Sequence, residues 1–432
     1  MTRRSGAARA ALTADEADAQ EGADRPADAL VAEAARERTS SGGVVDVAIL
    51  EPVSGHGGIE YYGFGLAESL ARLGLGVELH VCDETTPPPT ASFAFAPTYR
   101  GVYGTDPAWR RGARWIAGTV RALRSARARG AAVCHLHLFH AGPLQLFDAI
   151  AARRLGLRVV ATVHDVAALA DRRPRPDLAR HAFGAADRLI AHNPSTRDEI
   201  RRLFPGACPP IDVIPAGAPE ETSRDLPTRE SARGALGLPR DAQILLSFGH
   251  VKQSKGLDGL LHAVAALRRS RPNAILLVAG RAHPEAAAAL RERIRGLGLT
   301  DACRLLLEFV PHEEVPALFA AADVAVLPYR RAYQSSVLLL AMACGLPAVA
   351  SDLPGMRDTI VEGETGFLFP AGDDGALAAA IDRALADPAR RASIARAARA
   401  VVATKHAWST IGEQTLDCYR AATATGDMRR RG

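Results

Sequence analysis

Eleven short apolar-rich runs, most of them separated by helical patterns, constrain this chain more than any other feature. The first group lies at 44–50, 77–82, 132–138, 158–164, 188–193 and 211–215. The second lies at 243–249, 274–280, 304–310, 324–328 and 347–351. Runs of Val, Ile, Leu and Ala with little polar alternation are what a parallel sheet covered on both faces requires. Strand and helix alternate within each group, which predicts two doubly wound, Rossmann-like α/β units in tandem. Two such units place a cleft at the carboxyl ends of their strands.

At about 100–200 residues per domain, 432 residues accommodate two domains and a tail. Residues 1–43 hold no aromatic residue and few large apolar ones, so this stretch reads as a disordered tail. The first Rossmann-like domain is expected at 44–217 and the second at 241–402. A linker rich in Gly, Pro, Ser and charge joins them at 218–240, and a C-terminal helix and tail follow at 403–432.

The net charge of +5 is modest for this length and calls for no nucleic-acid partner. Six cysteines at 82, 134, 208, 303, 344 and 418 form no CxxC or zinc spacing, which suits reduced thiols in a cytoplasm. No signal-peptide pattern opens the chain, and no apolar run reaches about 18 residues.

Of 53 basic residues only Lys252, Lys255 and Lys405 are lysines, and the first two share one loop. That loop, SFGHVKQSKG at 247–256, ends a strand and opens a helix. A cation beside helix N-terminal amides makes a phosphate site, although a lysine at a helix start is also ordinary surface. A second helix opens in SSVLLLAMACGLP at 335–347, preceded by Gln334, Ser335 and Ser336. Its first amides can receive a diphosphate, or the serines can simply cap a buried helix. The loop SGHGG at 54–58 follows the first strand and lacks the GxGxxG spacing of a dinucleotide site. His164 ends its strand and points to the cleft, in reach of sugar hydroxyls, or is a hydrogen-bonded structural histidine. No Asp-x-Asp occurs, so diphosphate charge is expected to be met by lysine and amides, with no metal and no cofactor beyond a nucleotide-sugar co-substrate.

Residues 107–147 hold seven arginines and no acid or lysine. The helix expected at 108–130 groups Trp109, Ile116, Val120 and Leu123 on one face, flanked by Arg110, Arg114, Arg121 and Arg124. Such a helix either packs on its own sheet or touches an anionic membrane, which would place the protein at the inner membrane face.

In order, GHGGIEYYGFGLAESLARLG (55–74), ADRLIAHNPSTRDEI (186–200), VIPAG (213–217), FGHVKQSKGLDGLLHA (248–263) and the stretch AADVAVLP to VEGETGFLFPAGD (321–373) resemble family-4 retaining glycosyltransferases. The resemblance spans about 44–420 and implies a GT-B fold, with the acceptor on the domain at 44–217 and the donor on the domain at 241–402. It implies that Gly57 and Gly58 approach the donor diphosphate, that Lys255 pairs with its phosphates, and that His164 lies near the transferred sugar. It places the amides around Ser335, Ser336, Val337 and Leu338 on the diphosphate. The family's Glu-x7-Glu pair is absent, its positions being Ala332 and Leu340. Gln334 looks like the Gln-Ser-Gly variant of that loop. The family's usual arginine after the strand glycine is His250, with Lys252 able to supply the charge. The expected activity is metal-independent, retaining transfer of a hexose-type sugar to a glycan, lipid-linked or secondary-metabolite acceptor. A non-catalytic GT-B partner subunit and a nucleotide-sugar epimerase share the same shape.

Overall fold

The computed structural model describes residues 46–53, 59–139, 142–166, 176–206 and 208–430. The expectations for the tail at 1–43 and for Gly57 and Gly58 lie outside the described residues.

Two all-parallel sheets carry the fold. The first comprises β1 (Val47–Glu51), β2 (Val77–Cys82), β3 (Ala94–Tyr99), β4 (Val133–Leu138), β5 (Arg158–Val163), β6 (Arg188–Ala191) and β7 (Ile211–Val213). Their spatial order is β3-β2-β1-β4-β5-β6-β7. The second comprises β8 (Gln243–Phe248), β9 (Ala274–Ala279), β10 (Cys303–Leu306), β11 (Val324–Leu327), β12 (Ala348–Ser351) and β13 (Phe367–Phe369), ordered β10-β9-β8-β11-β12-β13. Central strands such as β1, β2, β4 and β9 are buried at every residue, as a parallel sheet covered on both faces requires. Strand order reverses between β1 and β4 in the first sheet and between β8 and β11 in the second. Those two switch points are where open α/β sheets bind ligands.

β3 and β13 were not anticipated. β3 is an edge strand, half exposed and interrupted by Pro97, which only an edge tolerates. β13 is a three-residue edge strand, too short to register as an apolar run.

The helix Ala108–Ala128 forms as expected, but it buries a different face. Trp115, Gly118, Thr119, Ala122, Leu123 and Ala126 turn inward. Of the four residues grouped above, Trp109 is 69% exposed and Ile116 is 39% exposed. Close approach to the sheet decides this. A Cβ on Gly118 would lie 2.7 Å from the Tyr99 ring, so small residues face the sheet. Trp115 turns in because its indole N–H reaches the Asp148 carboxylate at 3.1 Å.

The connecting stretch 218–240 is packed, with short helices at Glu220–Arg224 and Arg229–Ala235. Arg233, 2% exposed, donates through Nη2 to Asp323 at 2.8 Å and through Nε to the Ala321 carbonyl at 2.9 Å. The last helix, Trp408–Arg430, returns to the first sheet. Tyr419 Oη and His135 Nδ1 are 2.6 Å apart, and Ser69 Oγ donates to the Trp408 carbonyl at 2.5 Å. Glycines at 65 and 217 let the Trp408 ring in, since a Cβ at either would lie within 2.3 Å of it. Among the described residues, no helix is long and apolar enough to cross a membrane.

Candidate functional site

The loop after β8 is shaped by two glycines. Gly249 has φ +107°, and its carbonyl carbon would lie 2.6 Å from a Cβ on Gly280, so the ends of β8 and β9 close up tightly. Gly256 has φ +67°, and a Cβ there would sit 1.8 Å from the Pro328 carbonyl oxygen. Only glycine therefore lets this loop pass beneath the end of β11 and start the helix Leu257–Leu267.

Between those glycines the loop presents its cations. His250 and Lys252 are exposed, and Lys255 is half-buried on a one-turn 3-10 segment, Gln253–Lys255. The Lys255 ammonium lies 3.8 Å from the centroid of the Tyr329 ring, which anchors it at the end of β11. Arg281 joins the group, its carbonyl accepting from the Val251 N–H at 3.0 Å. Partial desolvation, then the charges of Lys252, Arg281 and Lys255, hold the His250 imidazole below its usual pKa. Arg281 escaped the sequence reading, although its place directly after β9 and its glycine was a usable signal.

The second element is the helix Ser336–Ala343. Ser335 caps it, its hydroxyl accepting from the Leu338 N–H at 3.1 Å. The Leu339 N–H goes to the Ser335 carbonyl at 3.2 Å. The N–H groups of Ser336 and Val337 are thus the first-turn donors left to the cleft. A Cβ on Gly249 would come within 3.7 Å of Val337 Cγ2, so cationic loop and helix N-terminus are neighbours. Gln334 is half-buried beside them, whereas Leu340, 7% exposed, belongs to the hydrophobic core.

Across the cleft, the ends of β1, β4, β5 and β6 carry Glu51, His137, His164 and His192. Glu51 is fully buried with one oxygen 2.8 Å from His137 Nδ1. It fits because Gly63 faces it; a Cβ there would lie 2.2 Å from the carboxylate. His164 stacks on Phe139 at 4.4 Å and 8°, with the Tyr62 ring edge-on at 4.8 Å. Burial, then neighbouring histidines, holds His164 well below the usual histidine range, and burial brings His192 down to about 4. Glu51, His137 and His192 were not anticipated, because only the sheet order brings them together.

The halves touch directly. Asn193 caps its own helix by accepting from Thr196 N–H at 2.8 Å, and its Nδ2 donates across the cleft to the Tyr333 carbonyl at 2.7 Å. Ser195 N–H donates to Asp358 at 3.1 Å, and the Tyr61 hydroxyl meets His312 Nδ1. The first link sets the end of β6 beside the segment leading into Ser335. Among the described residues, no group of three or more His, Cys, Asp or Glu is arranged to hold a metal ion.

Two Rossmann-like sheets thus face each other, with cations and open helix amides gathered at the second switch point. Residues 56–222 match the family described as Glycosyltransferase Family 4, and residues 228–401 match Glycosyl transferases group 1. A D-inositol 3-phosphate glycosyltransferase of Kineococcus radiotolerans is 31% identical over 405 residues, covering 85% of this chain and 91% of the relative. One from Streptomyces avermitilis is 31% identical over 401 residues, covering 85% and 83%. Among solved structures, sucrose-phosphate synthase from Thermosynechococcus elongatus superposes with a TM-score of 0.73 at 24% identity, covering 88% of this chain and 100% of that one. Anabaena HepE in complex with UDP-glucose gives 0.69 at 19% identity, covering 87% and 99%. The chain belongs to the family-4 glycosyltransferases, enzymes of the GT-B fold.

Proposed function

We propose that this glycosyltransferase moves a hexose-type sugar from a nucleoside diphosphate donor, with retention of anomeric configuration and without a metal ion or other cofactor. The observation that carries the reading is the juxtaposition of Lys255, Lys252 and Arg281 with the open amides of Ser336 and Val337. Charge develops on the diphosphate as the glycosidic bond breaks, and fixed cations and dipoles there lower the barrier. His164 contacts a hydroxyl of the transferred sugar from the opposite sheet. In a front-face ion-pair reaction, the departing phosphate oxygen takes the acceptor proton, so no enzyme nucleophile is required. Closure of the two halves excludes water, the competing acceptor. UDP-glucose is bound by HepE, which has the same fold, and supports a uridine diphosphate sugar as the first donor to try.

Nucleoside diphosphate sugars in excess chelator are expected to raise the Tm, by about 2.7 kcal/mol of linked stability at 100 Kd. The anomeric coupling of the product, read by NMR, should match that of the donor. Inverted product, or dependence of turnover on added magnesium or manganese, contradicts the reading. Leu340 cannot hydrogen-bond a ribose, and a non-catalytic partner subunit is the alternative this raises; turnover by the isolated chain decides between them.

The exposed side of Ala108–Ala128 supports a peripheral contact with the anionic inner face of a membrane. Arg110 lies over the Trp109 ring at 5.2 Å, and Arg124 and Arg127 line the same outward side as Ile116. Binding to vesicles is expected to need anionic phospholipid, weaken with salt and fall in a Trp109→Ala/Ile116→Ala variant. Equal binding to neutral vesicles, or none to either, removes this contact.

A further inference from the structure

His164 Nδ1 is 3.1 Å from His192 Nε2, and His192 Nδ1 is 3.2 Å from the Ile214 carbonyl oxygen. The carbonyl can only accept, so His192 carries its proton on Nδ1. A neutral His192 then has a lone pair on Nε2, which can only accept, so His164 donates from Nδ1. The opposite arrangement fails. With the proton of His164 on Nε2, His192 would have to donate from its own Nε2. A lone pair on His192 Nδ1 would then face the carbonyl lone pair. One arrangement of protons satisfies both bonds, and it leaves His164 Nε2 unprotonated.

We infer that His192 is a positioning residue that fixes the tautomer of His164, so that Nε2 meets the transferred sugar as a hydrogen-bond acceptor and never as a donor. That Nε2 is buried and has no partner among the described residues. The ring cannot swing to find one, held as it is between Phe139 and the edge of Tyr62. His137, 5.1 Å away between ring centroids, is tied to Glu51 and offers no competing bond to Nδ1. His135 is likewise engaged, between Tyr419 and Thr162. Burial of the pair keeps both rings neutral at pH 7. The relay belongs to this chain's own residues; its use in catalysis rests on the donor reading above.

Two readouts separate the relay from that reading. Long-range proton–nitrogen NMR of the histidine-labelled full chain, with His164 assigned by its loss in His164→Asn, reports the tautomer without substrate. Wild type is expected to show a lone-pair Nε2 and a protonated Nδ1 on His164. His192→Leu should convert His164 to a mixture or to the Nε2–H form. His192→Gln should restore the wild-type pattern, because an amide can donate to Ile214 and accept from His164 at once. In turnover, His192→Leu should lower kcat/KM for the donor by roughly 3–10-fold, the loss of one neutral hydrogen bond, and Gln should recover most of it. A wild-type His164 protonated on Nε2, or a tautomer unchanged in His192→Leu, overturns the relay, and the wild-type spectrum decides even where the leucine variant does not fold. The expected tautomers together with unchanged turnover in His164→Asn would instead sustain the relay and overturn the sugar contact.

Discussion

Replacing Lys255 with alanine is expected to lower kcat/KM for the donor by about 10–100-fold, at about 1.4 kcal/mol per decade. A charge-assisted bond to phosphate contributes about 1.5–3 kcal/mol, and Ala332 and Leu340 leave fewer donor contacts to share its loss. The Tm should move little, because the fold gives up only one half-exposed cation–π pair, worth about 0.5–1 kcal/mol. Lys255→Arg should recover only part of the rate, since a planar guanidinium presents its donors in a fixed fork and not as the compact point charge of the ammonium. Lys252→Ala should cost less, its side chain being exposed. Steady-state kinetics with varied donor check this series. Near-full kcat/KM in Lys255→Ala would move the phosphate assignment to Lys252 and Arg281.

The Tm is expected to fall as pH drops from about 6.5 toward 4. His135 and His192 are buried and His164 is half-buried, and all three are neutral in the fold but take up protons in the unfolded chain. The unfolded state then binds more protons than the native state, so acidification favours unfolding. For His192, which moves from 6.5 to about 4, this is on the order of 3 kcal/mol. Asp148 works the other way. Burial lifts it to about 7, so the native state holds the extra proton and gains about 4 kcal/mol between pH 7 and 4. One histidine and Asp148 nearly cancel; His135 and His164 tip the balance toward acid instability. Calorimetry from pH 7.5 to 4.5 should show a falling Tm, and a steeper fall in Asp148→Asn. A flat or rising Tm on acidification contradicts this account of the histidine cluster.

Much of this fold was legible because its central strands are buried on both faces and advertise themselves as apolar runs. The losses have particular causes. β3 carries a proline and a half-exposed pattern, and β13 is three residues long. On the basic helix, periodicity counted large apolar residues, whereas the sheet selected small ones such as Gly118 and Ala122. The cationic loop and the Ser335 helix start stand out in the sequence because Lys252, Lys255 and Ser335 are local signals in single loops. Glu51, His137 and His192 sit on three strands far apart in the chain, and nothing local marks them. His164 stood out by its strand-end position, but its proton arrangement depends on a neighbour that only the β5–β6 pairing supplies.

We propose that fixed cations and helix amides, without a metal, hold a diphosphate. Titration calorimetry in excess chelator, comparing a nucleoside diphosphate with its monophosphate, tests it most directly. The diphosphate should bind wild type at least about 10-fold tighter, equivalent to about 1.4 kcal/mol, and Lys255→Ala should erase most of that gap. Equal affinity for the two nucleotides, or a gap that appears only with added magnesium, would contradict the account.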